Sequence, residues 1–261
     1  MDLPRLRPHP EEIVLKADPF AQLKLLDLQE LDSTLDQLRH RRRSLSELAA
    51  LAELAGMRTD LDTRARDLRI VVDDTTREQK RADADVEQVR ARRERDQKRM
   101  DSGAISNPKD LERMQHELVS LTKRINDLED IELEVMERLE TAQGELAQVE
   151  AELADVDTKI EVATSAKDAA YAEIDAEATT VTADRETLAS GIPTDLLALY
   201  DKLRAAKGGT GAAALRARRC GGCRLDLNAS DLAVIAKAPS DEVVRCEECQ
   251  RILVRTSESG L

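Results

Sequence analysis

From Leu111 to Leu188 the chain has no proline, and for eleven heptads it alternates steps of three and four residues between apolar positions. The row runs Leu111, Met114, Leu118, Leu121, Ile125, Leu128, then Val135, Leu139, Ala142, Leu146, Val149, Leu153, Val156 and Ile160, and continues through Ala163, Ala170, Ile174 and Val181 to Leu188. Only Glu132, Lys167, Glu177 and Asp184 interrupt it. A 3.5-residue repeat held in one phase keeps one stripe of a helix turned toward a partner helix, which is the signature of a coiled coil. A strand cannot use this spacing, because it buries alternate residues.

The first arm has the same habit with more interruptions: Leu28, Leu31, Leu35 and Leu38, then Leu61, Ala65, Leu68, Val72, Ala82, Val86 and Val89. Around Leu45, Leu48, Leu51 and Leu54 the spacing becomes threes, which predicts a local disturbance of the supercoil. Between the arms lies DSGAISNPKD. Here Gly103 permits a turn, Asn107 caps a helix, Pro108 suits the first helical position and Asp110 adds negative charge to the first turn. Two arms of nearly equal length predict an antiparallel hairpin about 120 Å long at 1.5 Å per residue. Facing residues then have numbers totalling about 209 if the turn is the symmetric midpoint. On that rule Val89 lies near Leu121, Leu61 near Val149 and Leu35 near Ile174. The competing arrangement is a parallel or intermolecular coiled coil.

Composition supports helices over a globular core. One Phe, two Tyr and no Trp exclude a large aromatic interior, while 36% charged and 41% hydrophobic residues suit long solvated helices. The regular leucine spacing argues against disorder. A formal net charge of -13 argues against chain-wide binding to a phosphate polymer. No apolar run has the length of a signal peptide or a membrane span, so the expected location is cytoplasmic, with no membrane partner.

The heptads stop at SGIPTD, where Gly191 ends a helix and Pro193 prevents its continuation. TDLLALYDKLRAAK reads as a short amphipathic helix closed by Gly208 and Gly209, and AAALRARR, EVVRC and RILVR read as short strands. The expected organisation is an N-terminal extension over 1–17, a hairpin over 18–190 and a C-terminal domain over 191–261. The hairpin has arms of about 18–100 and 108–190 and a tip at 101–107.

All four cysteines lie in that last domain, as Cys220-x-x-Cys223 and Cys246-x-x-Cys249. In a reducing compartment, paired cysteines more often hold metal than form disulfides. Each pair puts two thiolates on one turn, and two turns supply the four sulfurs that zinc takes tetrahedrally. Four thiolates close the coordination sphere, so one structural Zn2+ is expected rather than a catalytic one, and it supplies folding free energy to a small domain. A thioredoxin-like redox pair fits poorly, because the first pair follows RARR and precedes a strand rather than opening a helix. A four-sulfur iron site has the same ligand demands. Gly221 and Gly222 are expected to ease the first turn.

Together these features resemble the bacterial C4-type zinc ribbon and coiled-coil hairpin family, also described as a domain of unknown function with a C-terminal zinc ribbon. The resemblance rests on LLDLQELDSTLDQL, SNPKDLERMQHEL, IPTDLLALYDKL, CGGCRLDL and RCEECQRILV, and it spans the chain from about Ala21 to Arg255. It implies a mainly α fold, with a long antiparallel coiled-coil hairpin and a small C-terminal β-rich zinc ribbon. It also implies a non-enzymatic adaptor linked to nucleic-acid or protein binding. One departure is Gln250, where the family often has Gly after the last cysteine; this is expected to alter the knuckle turn without removing a ligand.

Charge is uneven. Leu111 to Leu188 carries 21 acidic and 7 basic residues, Arg90 to Arg113 carries 8 basic and 5 acidic, and Leu203 to Thr256 carries 10 basic and 6 acidic. Arg216, Arg218, Arg219, Arg224, Arg245, Arg251 and Arg255 cluster in sequence near the knuckles and form a candidate nucleic-acid or partner contact. Alternatively, they offset the charge of about -2 on a four-thiolate zinc. No aromatic residue lies in the ribbon to stack a base. The polar tip around Arg93, Asp96, Arg113 and His116 is a second candidate docking point, against the plain reading that hairpin ends are soluble. His9, His40 and the RHRRR run at Arg39 to Arg43 read as solvated. No P-loop, nucleophile elbow or catalytic histidine cluster appears, so neither an enzyme nor a small-molecule substrate is expected. Two functions lead: a nucleic-acid-associated factor acting through the ribbon, with a transcription or RNA-linked role, or a protein scaffold or chaperone-like adaptor acting through shaft or tip with the ribbon as a second docking module. A third, entry of the tip into an RNA polymerase channel, rests on analogy with other zinc-bearing hairpin regulators alone.

Overall fold

The computed structural model describes residues 15–261, so His9 and most of the N-terminal extension lie outside the described residues. The elements in order are α1 (Pro19–Arg43), α2 (Ser46–Asp101), α3 (Pro108–Ser190), α4 (Thr194–Ala206), β1 (Ala212–Arg216), β2 (Arg219–Cys220), α5 (Ala229–Lys237) and β3 (Ile252–Arg255). The chain forms two compact units, one of Ser46–Ala166 and one of Lys167–Leu261 with the chain up to Leu45. No described helix is long and apolar enough to cross a membrane.

In the first unit α2 and α3 run antiparallel, with Leu61 and Ala65 packed on Val149 and Val156. The seam of α3 is the one the heptads mark: Leu118, Leu121, Ile125, Leu128, Val135, Leu139 and Ala142 are all buried. The register differs from the symmetric one. Arg92–Glu117 totals 209, but Arg58–Asp157, Glu78–Arg138, Arg69–Glu150 and Arg90–Glu129 total 215 to 219. Matching of apolar layers along the shaft therefore sets the pairing, and the loop between Asp101 and Pro108 accommodates it. At that loop Gly103 has φ +67°, and Asn107 Oδ1 accepts from the Lys109 N–H at 3.0 Å.

The first arm is two helices, not one. α1 starts where Asp18 accepts the Phe20 N–H at 2.8 Å, with Pro19 at the first helical position. It ends at Ser44, whose hydroxyl and N–H both turn back to the His40 carbonyl. The run His40 to Arg43 occupies the last turn, where cations oppose the negative end of the helix dipole. This interruption falls at the start of the irregular leucine spacing.

The second unit joins the base of the helices to the ribbon. The three-stranded sheet has order β2-β1-β3, with β1 antiparallel to β2 and parallel to β3. Ala217 and Arg218, at φ 45° and 64°, make the tight β1–β2 turn, the two left-handed positions that a type I′ hairpin needs. The sheet's two faces enter two cores. Ala212, Ile252 and Val254 pack with Leu25 and Leu28 of α1 and Leu196, Tyr200 and Leu203 of α4; Ala213, Leu215 and Leu253 pack with Cys220, Cys246, Leu227 and Ile235. Each of these fully buried large side chains contributes roughly 1.5–3 kcal/mol. EVVRC is not a strand, since it makes only isolated bridges, Glu242 to Lys16 and Arg245 to Ile252. Helix α5, between the knuckles, is an addition to the sequence reading; Asn228 caps it by accepting the Asp231 N–H at 2.8 Å.

At the base of α3 the seam shifts by one residue. Glu177 and Asp184, which interrupt the apolar row, are exposed, and Ala178 and Arg185 take the inward places. The reason is Asp32, 2% exposed on α1. It accepts from Arg185 Nε at 2.8 Å and from the Tyr200 hydroxyl at 2.7 Å, and Arg204 Nε lies 3.4 Å away. One turn earlier, Gln29 donates to the Gly209 carbonyl at 2.9 Å and accepts the Gly211 N–H at 2.7 Å. Gly211 has to be glycine, because a Cβ there would lie 2.6 Å from the Tyr200 carbonyl oxygen.

Asp32→Ala is expected to cost about 3–5 kcal/mol, because it leaves Arg185 Nε and the Tyr200 hydroxyl without their acceptor and Arg204 without its nearest buried counter-charge. Tyr200→Phe is expected to cost only about 1–2 kcal/mol, and the double variant less than the two together. Urea unfolding measures all three; an Asp32→Ala protein within experimental error of the parent contradicts this account.

Candidate metal centre and ribbon surface

The two knuckles are built alike. In the first, the Cys220 N–H donates to the Leu225 carbonyl at 3.0 Å and the Arg224 N–H to the Cys220 carbonyl at 2.8 Å. In the second, the Cys246 N–H donates to the Arg251 carbonyl at 3.0 Å and the Gln250 N–H to the Cys246 carbonyl at 2.8 Å. The residue after each second cysteine is left-handed, Arg224 at φ 61° and Gln250 at φ 63°. Gln250 therefore does not alter the turn as expected; it adopts the backbone a glycine would take. The conformation costs a non-glycine residue roughly 1–2 kcal/mol.

Gly221 and Gly222 serve clearance rather than the turn. A Cβ on Gly222 would lie 2.8 Å from Arg251 Cδ, and one on Gly221 3.0 Å from the Ala214 carbonyl oxygen. The first knuckle thus sits flat on β1 and against Arg251.

This framework brings four sulfurs together, all within 4.8 Å of one another. Cys220 and Cys249 sulfurs are 3.9 Å apart, as are those of Cys223 and Cys246. A tetrahedron with zinc–sulfur bonds of about 2.3 Å has edges of about 3.8 Å, so two of the six separations already match one zinc and the rest lie within about an ångström of it. Bound there, zinc supplies a structural crosslink between the two knuckles. Cys220 and Cys246 are buried, whereas Cys223 and Cys249 are partly exposed.

Without metal, burial pushes the Cys220 thiol up and carries Cys246 to about 12. Backbone N–H groups of Gly222 and Cys223 oppose this at Cys220, as those of Glu248 and Cys249 do at Cys246. At Cys249 burial is outweighed by hydrogen bonds from the Arg251 backbone and side chain and from neighbouring thiols, which bring it down to about 7. These N–H groups, aimed at sulfur, are the outer shell that a thiolate–metal centre uses.

The seven arginines have different fates. Arg255 donates to the carbonyls of Ala238 at 2.8 Å, Pro239 at 2.6 Å and Glu242 at 2.9 Å, tying the end of α5 to the following loop. Arg251 donates to Lys207 and Thr210 carbonyls at 2.8 and 3.0 Å and also approaches Cys249, so its charge offsets the metal centre. Arg216 pairs with Glu258 at 3.2 Å and Arg219 with Asp226 at 2.9 Å, both on the surface. Arg218 and Arg245 each use Nε on one carbonyl, Gly260 and Gln250. Arg224 is exposed and makes no side-chain hydrogen bond among the described residues.

Away from the ribbon, Arg42 of the RHRRR run pairs with Asp175 and lies 4.5 Å over the Tyr171 ring, while His40 is exposed. Near the tip, Arg93 donates to Thr122 at 3.0 Å, not toward His116. The Asp32 centre escaped the sequence reading altogether. Gln29 and Asp32 lie beside the leucine row of α1 rather than in it, so the row itself gave no signal.

Comparison with known proteins agrees with this architecture. Residues 28–208 match the CT398-like coiled coil hairpin domain, and residues 219–253 match the C4-type zinc ribbon domain. The uncharacterized protein Rv2229c of Mycobacterium tuberculosis (strain ATCC 25618 / H37Rv) is 36% identical, over 92% of this chain and 98% of its own. The uncharacterized protein ML1638 of Mycobacterium leprae is 29% identical over 85% of this chain and 94% of its own. A solved structure from Mycobacterium smegmatis superimposes with TM-score 0.81 at 35% identity, covering 93% of this chain and 100% of that one. CT398 from Chlamydia trachomatis, at 18% identity and TM-score 0.66 over 91% of this chain and 98% of its own, shares the fold. The chain belongs to the CT398-like coiled-coil hairpin family with a C-terminal C4-type zinc ribbon.

Zinc has to displace protons from the buried thiols, so loading is expected to release protons and to weaken as pH falls. With at least two thiols protonated near neutrality, the apparent affinity should drop about a hundredfold per pH unit. Chelator competition at two pH values, with proton release followed by indicator dye, checks this; pH-independent loading contradicts it. Separately, Arg224→Gly and Gln250→Gly should each stabilise the zinc-loaded protein by about 0.5–1 kcal/mol with unchanged metal content. A lower thermal midpoint in either would show that the left-handed positions carry no strain.

Proposed function

We propose that the chain is a non-enzymatic adaptor that binds protein partners, with the ribbon as a rigid docking module displayed on the base of the helices. One observation carries this reading: the ribbon's arginines are largely committed to the ribbon itself. Arg251 and Arg255 are tied to backbone carbonyls, and Arg216 and Arg219 to carboxylates. A phosphate-binding surface needs several free cations on one face, since its affinity arises from counterion release. Here Arg224, with the outer guanidinium nitrogens of Arg218 and Arg245, is what remains of the seven.

Exposed apolar side chains support protein contact instead. Leu225, next to the first knuckle, is 50% exposed and Val234 on α5 is 68% exposed. Val234 borders a recess floored by Leu227, Ile235 and Val244 and edged by Arg245 and Glu247. Apolar groups with a polar rim suit a protein interface. The metal, enclosed by four thiolates, offers no open position for water or substrate, and its role is to hold the knuckles.

Labelled single-stranded RNA and duplex DNA, titrated into zinc-loaded protein at about 25 and 150 mM salt, separate this reading from its rival. The expected result is no saturable binding at the higher salt, and no change when Arg218, Arg224 and Arg245 are all replaced by Ala. In-cell photocrosslinking from Leu225 and Val234 should yield protein adducts. Saturable nucleic-acid binding that the triple variant abolishes would overturn the protein reading in favour of a nucleic-acid-associated factor.

A further inference from the structure

One flank of the α2/α3 pair is left open. Three recesses follow one another along it at heptad intervals. The first is lined by Val71 and Thr75 opposite Arg138 and Ala142, the second by Arg64 and Leu68 opposite Val149, and the third by Met57 and Leu61 opposite Val156. Their floors are seam residues. At their lips, Met57 and Val71 are apolar yet 47% and 48% exposed. The cross-arm ion pairs Arg58–Asp157 and Arg69–Glu150 lie outside the recesses, while the pair Arg138–Glu78 bounds the first recess at its far end. A two-stranded coiled coil ordinarily flanks its seam with such pairs on both sides. Here Met57 and Val71 stand in flanking positions of α2, with Arg64 between them.

The rim is acidic. Seven carboxylates border the three recesses against three cations. Arg138 is paired with Glu78, and Lys159 with Asp155 at 2.6 Å, itself one of the seven, which leaves six carboxylates against Arg64.

We infer that this flank receives a basic amphipathic α-helix from a partner protein, laid alongside α2 and α3 as a third strand of the bundle. The inference rests on the protein-adaptor reading and specifies one of its partners. A helix running beside the groove presents apolar residues at i, i+3, i+4 and i+7, so one apolar cluster enters each recess in turn. From Met57 to Thr75 the groove advances about 27 Å, the length of roughly 18 helical residues. Lysines and arginines beside the apolar stripe then face the acidic rim. A second copy of this chain is disfavoured as occupant by like charge, since its own shaft from Leu111 to Leu188 carries 21 acidic and 7 basic residues. Nucleic acid is repelled for the same reason.

The test uses full-length, zinc-loaded protein and three fluorescent 20-residue peptides: a helix with leucines at heptad spacing and Lys/Arg flanks, the same helix with Glu flanks, and a scrambled basic peptide. The basic amphipathic peptide should bind saturably and weaken with salt, at least tenfold more tightly than the other two. Val71→Lys and Met57→Lys should each weaken it at least tenfold. Leu133→Lys, which adds the same charge at a residue 57% exposed outside the recesses, should leave it unchanged. Because all three sites are half-exposed, the variants should retain their helical circular dichroism, and hydrogen exchange of the parent protein should slow on peptide binding within 57–75 and 134–159. Equal binding of the Glu-flanked or scrambled peptide, equal weakening by Leu133→Lys, or no binding would overturn the groove assignment. So would sedimentation showing that the flank is occupied by a second copy. Protein adducts from the ribbon would survive any of these outcomes, so failure of the groove is distinguishable from failure of the adaptor reading.

Discussion

A single buried carboxylate organises the base of this molecule. Asp32 would be an expensive group to desolvate alone, and a leucine in its place would suit the seam of α1 better. It is tolerated because Arg185 from α3, Arg204 and Tyr200 from α4 converge on it. Burial, and then its hydrogen bond to Asp32, keep the Tyr200 phenol protonated far above its ordinary range, and the same carboxylate holds Arg185 charged. Gln29, one turn away, carries the network into the backbone at Gly209 and Gly211, immediately before β1. Helix base and zinc-bearing sheet are thus fixed to one another by directional bonds as well as by the apolar core around Leu25, Leu28 and Tyr200.

The helical part of this fold was open to reading because its code is periodic. Leu118 to Ala142 stand where the heptads put them, and the turn residues Gly103, Asn107 and Pro108 act as their chemistry dictates. What the period could not reveal is anything decided between elements. Register depends on which apolar layers meet, so a symmetric midpoint misplaced it by up to about three turns in residue total. Glu177 and Asp184 stood out as interruptions of the row, but the count could not show that the partner waiting on α1 is a carboxylate that selects Arg185. Arg224 gave no warning of left-handed backbone, because the usual marker, glycine, is absent there, and at Gln250 the glycine of the resembling family marked the position without showing that glutamine would keep the same turn. The neighbouring Gly221 and Gly222 owe their size to Ala214 and Arg251, distant in sequence.

The metal centre was the most legible site, since two CxxC turns leave few other chemistries, and the sulfur separations match one tetrahedral ion. The surface around it was the least legible. Seven arginines look equivalent in sequence, but a planar guanidinium with several donors is as useful for bridging carbonyls inside a small domain as for meeting phosphate outside it. Arg255 alone gathers carbonyls from Ile235, Ala238, Pro239, Ser240 and Glu242, taking the place that more secondary structure would fill in a larger domain.

Zinc, sheet and helix base form one cooperative body on this account, not a metal module appended to a separate coiled coil. Hydrogen exchange before and after zinc is stripped by a strong chelator tests that most directly. The account predicts that protection falls together in the ribbon and in Pro19–Arg43 and Thr194–Ala206, while the α2 seam around Leu61 and Ala65 stays protected. Loss confined to the knuckles, with α1 and α4 as protected as before, would contradict it.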